Sequence, residues 1–174
     1  MRFAAAFSVI VLLALPAGAA EQAPQITSVT DIKNLPTPLP FPYPYNEAVD
    51  ADAAVEAAFA RARANGKRVL IDLGGNWCAD CRILSGIMEL PELKPFIAAH
   101  YEVVTVNVGR FKRNLQIPQR FGITKLEGVP AVIIADADGT PVNVSDAQDL
   151  ADARSMTPQA IADWLARWAK PVSE

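Results

Sequence analysis

The apolar positions of this chain change their period along its length, and each change marks an element. A helix is predicted from about Asp52 to Ala64. Asp50 or Asp52 can cap its start, and Gly66, after Asn65, stands where a left-handed C-terminal residue is expected. Arg68-Val69-Leu70-Ile71-Asp72-Leu73 is a short apolar run that predicts a buried strand, with Asp72 its polar exception. Helical spacing returns from Cys78 to about Leu90, with Ile83, Leu84, Ile87 and Met88 on one side, until Pro91 interrupts it. A further helical piece spans about Glu92 to Ala99. A β-branched strand runs from Tyr101 to Val108, and Arg110 to Gln119 is a polar, partly helical connection. Ala131 to Ala135 is another apolar strand. Asp138-Gly139 signals a hairpin that brings Val142 to Val144 back alongside it. The last helix opens at Thr157-Pro158, with Ile161, Trp164, Leu165 and Trp168 as its apolar face. Strands that alternate with helices imply parallel pairing through crossovers, and the hairpin adds an antiparallel edge.

The first residues read differently. Arg2, the apolar run Ala4 to Leu15 and the small residues Ala17-Gly18-Ala19 form the pattern of a secretory signal over 1–19, which places the protein in the periplasm. The alternative is an uncleaved membrane anchor, although the run is shorter than the roughly 20 residues a bilayer needs. Residues 20–46 form an extension, polar and irregular at first and then proline at every second position from Pro36 to Pro44. Such a run excludes helix and cannot enter a central ladder, so it predicts a stiff spacer or surface strap, or else a docking ligand for a partner. Residues 47–174 remain for one α/β domain. With 51% hydrophobic residues the chain can bury a core. Its net charge of −3 argues against general nucleic-acid binding, and removal of Arg2 with the signal makes the balance more acidic.

The chain has 2 cysteines, Cys78 and Cys81. A pair so close closes a tiny loop and adds little chain-entropy stabilisation, so chemistry explains it better than stability. It follows a buried strand and opens a helix. There the free N–H groups and the positive helix end stabilise a Cys78 thiolate, while Cys81 lies one turn on, within reach of a mixed disulfide. Cys78 is accordingly the expected nucleophile and Cys81 the resolving cysteine. A structural disulfide and half of a metal site are the alternatives. Zinc needs two more soft or imidazole ligands, and the sequence offers only His100, so no metal and no cofactor are expected.

Ile71-Asp72-Leu73-Gly74-Gly75-Asn76-Trp77-Cys78-Ala79-Asp80-Cys81 resembles the strand, tryptophan and active-site helix start of the thioredoxin superfamily. Gly128-Val129-Pro130, about 50 residues on, resembles that family's cis-proline loop, and Asp138-Gly139 its hairpin turn. The resemblance covers about 47 to 171. It implies a thioredoxin fold: a central mixed sheet of four to five strands flanked by helices, here preceded by the Pro-rich extension. It implies further that Asp72 assists proton transfer at Cys81, the alternative being a plain strand-end aspartate. A desolvated carboxyl, with its raised pKa, suits that task. A lysine that the family places near this acid is replaced by Thr105. Val129 and a cis Pro130 are implied to receive a substrate strand, and Trp77 either shields the site or simply packs.

Asp80 sits between the cysteines, where its charge opposes the thiolate and favours a reducing dithiol. Arg110, Lys112 and Arg113 pull the other way if they face the site, and are otherwise a solvated surface. Phe111 to Phe121, with Leu126, are candidates for shaping a groove, and His100 is expected in a surface or capping role. The chain resembles the soluble reducing domain of periplasmic thiol:disulfide interchange proteins. The expected function is reduction of protein disulfides, with protein thiols and disulfides as substrates and an inner-membrane electron donor as partner. A disulfide-donating oxidase is the alternative. A Cu(I) chaperone is a third reading, which suits soft thiolates but lacks that family's wider spacing and added histidine.

Overall fold

Arg68–Gly74 forms β1, the middle strand of the sheet. In a computed structural model, which describes residues 21–35 and 43–171, β1 pairs in parallel with β2 (Tyr101–Asn107) and antiparallel with β3 (Ala131–Ala135). The expected signal at 1–19 and the proline run at 36–42 lie outside the described residues. Among the described residues five α-helices complete the order: α1 (Ala51–Asn65) before β1, α2 (Ala79–Met88) and α3 (Leu93–His100) before β2, the short α4 (Gln116–Arg120) before β3, and α5 (Pro158–Arg167) after it. Asp50 caps α1 by accepting the Ala53 N–H, and Gly66 closes it at φ 77°. Thr157 caps α5, with Pro158 in its first turn.

The pleat divides the core in two. Val69, Ile71 and Leu73 pack with Val55, Phe59 and Ala62 of α1, while Leu70 packs with the apolar faces of α2, α3 and α5. The N-terminal segment is a strap on that second layer: Ile26, Val29 and Leu35 are buried there. Gln159 accepts the Ile26 N–H, and Glu92 accepts the N–H groups of Thr27 and Ser28.

The sheet has three strands, not four to five. After the turn at Gly139, pairing stops at a single bridge between Ala135 and Pro141. The physical reason is a side chain that does a strand's work. Asn143 is 1% exposed, accepts the Ile134 N–H at 2.8 Å and donates to the Val132 carbonyl at 2.8 Å. A carboxamide carries the same donor and acceptor as a peptide unit, and with the Val142 N–H on the Ile134 carbonyl and the Ala147 carbonyl accepting the Val132 N–H, β3 is satisfied without a partner strand. The chain is then free to turn through Val144–Asp146 into a second 3-10 segment, Asp149–Ser155.

Candidate active site

β1 ends at Gly74, and Gly75-Asn76-Trp77 turns the chain into α2. The Cys78 N–H donates to the Gly75 carbonyl at 2.9 Å, and Cys78 becomes the N-cap of α2 in an extended conformation. Its sulfur does what a serine oxygen does elsewhere, accepting the Cys81 N–H at 3.2 Å. On its other side the Cys78 thiol donates to the Val129 carbonyl at 3.3 Å, and the Val129–Pro130 peptide is cis. Both cysteines are free thiols. The Cys81 side chain hydrogen-bonds to the Cys78 sulfur and lowers the Cys78 pKa. Burial opposes this, the Cys81 N–H adds to it, and the result is about 7. Cys81 moves the opposite way, held well above the ordinary thiol range by its bond to Cys78, by burial and by the Asp72 charge. The two thiols are thereby differentiated: one poised to ionise at neutral pH and 8% exposed, the other 0% exposed and protonated.

Asp72 lies in the middle of β1, opposite Thr105 on β2 and Val132 on β3. Burial drives its pKa up, the Tyr45 hydroxyl pulls it down, the Cys78 charge adds to the rise, and it stands at about 7. That hydroxyl donates across both carboxylate oxygens at 2.8 Å. Tyr45 was not a candidate on sequence grounds, because it sits at the end of the proline run. Gly74 leaves the space for this arrangement: a Cβ there would stand 2.4 Å from the Tyr45 hydroxyl and 2.7 Å from Cys81 Sγ.

Asp80 needs a correction. It does not act as a bare charge between the cysteines. Its side chain is buried and gripped by Arg154, whose N–H and Nε each donate to Oδ1 at 2.9 Å and whose guanidinium closes on Oδ2 as well. Burial tends to raise Asp80, but these bonds and the Arg154 charge hold it below its ordinary value. Asp80 still pushes the Cys78 pKa up, though Arg154 offsets part of that push. Arg154→Ala is therefore expected to raise the Cys78 pKa above its wild-type value and slow thiol attack at neutral pH by roughly threefold. Thiolate absorbance against pH measures this, and an unmoved titration would exclude the pair as a tuning element.

Trp77 packs edge-on against Phe111 at 5.8 Å, and the Arg110 guanidinium lies 5.0 Å above its ring. This places Arg110 at the rim of the site. Arg113 instead donates to the Glu47 carbonyl. The contact depends on an unusual turn in which Gly109, Arg110 and Phe111 all have positive φ, at 51°, 52° and 62°. Asn107 holds its base, accepting the Gly109 N–H at 2.7 Å and receiving the Asn114 amide on its carbonyl at 2.8 Å. Phe111 and Leu126 also line a groove of about 260 Å³ with Ile123 and Pro118. The proline loop is held from behind by Gln148, which accepts the N–H groups of Glu127 and Gly128 at 2.6 and 3.1 Å. His100 is remote from all this, buried and bonded to the Lys170 carbonyl. Among the described residues no group of three or more His, Cys, Asp and Glu side chains is arranged to hold a metal ion, and no helix is long and apolar enough to cross a membrane.

Residues 50–137 match the family model described as thioredoxin-like, half of the chain. A thioredoxin from Alicyclobacillus acidocaldarius subsp. acidocaldarius is 32% identical over 87 residues, which cover 50% of this chain and 74% of that protein. The chain belongs to the thioredoxin-like family. A disulphide isomerase from Xylella fastidiosa Temecula1 is similar in structure, with a TM-score of 0.68, 38% identity, and coverage of 71% of this chain and 95% of that one.

Several residues that shape the site of this thioredoxin-like protein lie outside the matched span. Tyr45 precedes it, and Gln148 and Arg154 follow it. The shared segment supplies β1, the cysteines and the proline loop. The flanking segments supply the groups that bond to Asp72, Asp80 and the loop backbone.

Proposed function

We propose that this protein is a periplasmic thiol–disulfide oxidoreductase that reduces disulfides of exported proteins, with Cys78 as nucleophile and Cys81 as resolving cysteine. The observation that carries the reading is the unequal pair: a Cys78 thiol that keeps 8% exposure and a pKa of about 7, capping a helix, next to a fully buried Cys81. The Cys78 thiolate attacks a substrate disulfide, forms a mixed disulfide and expels one substrate thiolate. Asp72 as carboxylate takes the Cys81 proton. The Cys81 thiolate then attacks Cys78 Sγ, the Cys78–Cys81 bond forms, and the second substrate thiolate leaves and is protonated by water. Two electrons pass to the substrate, so an inner-membrane donor must return them. The Gly128-Val129-Pro130 loop lies directly beside Cys78, and Trp77 with Phe111 forms an apolar flank, for a substrate strand.

The poise supports the reductive direction. Strongly oxidising members of this chemistry hold their nucleophilic thiol near pKa ~3.5, while reducing ones stay near ~7. Equilibration with glutathione is expected to give a potential below about −200 mV, and a value above about −150 mV would sink the reductase reading in favour of a disulfide donor. Isomerisation is the second reading, favoured by the 38% identity to a disulphide isomerase over 95% of that chain. It uses the same reduced Cys78 but lets a substrate thiol resolve the intermediate. Recovery of activity from scrambled ribonuclease by a Cys81→Ser variant separates the two, since isomerisation survives loss of Cys81 and net reduction does not.

A further inference from the structure

Tyr45 lies in neither a helix nor a strand, yet it is among the most tightly held residues of the molecule. Asn76, in the turn before Cys78, accepts the Tyr45 N–H at 3.0 Å and donates to its carbonyl at 2.7 Å. Thr105 on β2 donates to the Pro44 carbonyl at 3.1 Å. These bonds fix the backbone at Pro44 and Tyr45, and the ring inserts until it is 1% exposed. Its hydroxyl meets both oxygens of Asp72, itself 1% exposed, and shares with Cys81 Sγ the space that the missing Gly74 side chain leaves.

We propose that Tyr45 is a positioning residue of the resolution step: its hydroxyl aims the Asp72 carboxylate at Cys81 and sustains its ionised form in a water-excluding pocket. The proposal rests on the reductive reading above. A carboxylate sealed from water loses its hydration, and one short bond from a neutral donor restores part of it without adding a charge that would disturb the thiols. When Asp72 takes the Cys81 proton, the same hydroxyl turns to accept from the new carboxylic O–H, so the contact persists in both states. The titratable groups that face Asp72 are Tyr45 from the strap and Cys78 and Cys81 from α2. Its register neighbours, Thr105 and Val132, carry no charge.

The test uses the reduced full-length protein and 5,5′-dithiobis(2-nitrobenzoate), followed by stopped flow across pH. Attack by Cys78 releases a first thionitrobenzoate, and resolution by Cys81 releases a second. In Tyr45→Phe the first phase is expected to be unchanged. The second is expected to slow by roughly tenfold at neutral pH, with its midpoint moved up by about one unit, because the carboxylate loses its donor. Asp72→Asn is expected to abolish that midpoint, and adding Tyr45→Phe to it should change nothing further. A second phase in Tyr45→Phe that matches wild type at every pH overturns the proposal. So does an equal slowing of both phases, which marks a packing role, or a wild-type midpoint retained in Asp72→Asn. If the wild-type protein releases only the first equivalent, Cys81 does not resolve, and the reductive reading fails together with this one.

Discussion

Replacing Cys81 with serine is expected to give a protein that attacks disulfides and cannot let go. Cys78 keeps its helix cap, because the Cys81 backbone N–H at 3.2 Å remains. The serine hydroxyl can donate to the Cys78 sulfur in place of the Cys81 thiol, so attack persists. Release is what disappears. An internal thiol one helical turn away acts at an effective concentration that no thiol in solution reaches, so turnover of insulin disulfides should fall by ~10³ or more. Mixed disulfides through Cys78 should accumulate and be read by mass spectrometry without reductant. Cys78→Ser should trap nothing, because Cys81 is 0% exposed and its thiol is held protonated. Adducts on Cys81 in that variant would reverse the two roles.

Asp72→Asn is expected to stabilise the protein, by an amount that grows as pH rises from about 4 and is complete above about 7. In the unfolded chain the carboxyl ionises at its ordinary 3.8, whereas in the fold it does so at about 7, chiefly because burial penalises the charge. Below about pH 4 both states hold the proton and the residue is neutral toward folding. As pH rises toward 7 the unfolded state sheds its proton first, so stability drops, and above that the loss is complete. At about 1.4 kcal/mol per pH unit the full effect is about 4 kcal/mol. Urea denaturation at pH 4 and pH 8 measures it: the variant should match wild type at the lower pH and exceed it by about 3–4 kcal/mol at the higher. An equal gain at both would mean that packing, not charge, sets the difference.

Legibility varied with how local the physics was. α1 was readable because its cap, Asp50, and its left-handed stop, Gly66, are both chain neighbours of the helix. β1 and β3 were readable because a middle strand and its neighbour are apolar on both faces. The cysteine pair and the proline loop were legible as motifs, though the motif says nothing of what stands behind them. The expected fourth strand failed at Asn143, since a polar residue after Pro141 looks like loop whether or not its amide replaces a strand. Arg154 reaches Asp80 from 74 residues away, out of a 3-10 segment broken at Asp152, and no periodicity announces such a pairing. Asp80 was consequently read as a free charge. Tyr45 was hidden for another reason. Proline-rich sequence announces extended backbone, and only the fold shows where an extended backbone delivers its side chains.

The contacts of Tyr45 also reach a long way along the chain. Synthesis runs from the N-terminus, so Tyr45 exists before every group it meets, and the Thr105 hydroxyl that ties down Pro44 comes 61 residues after that proline. Asp72, Asn76 and Cys81, which bound the pocket its ring fills, all come later in the chain. The floor of the site is therefore a non-local contact, closed by a residue made before everything it touches.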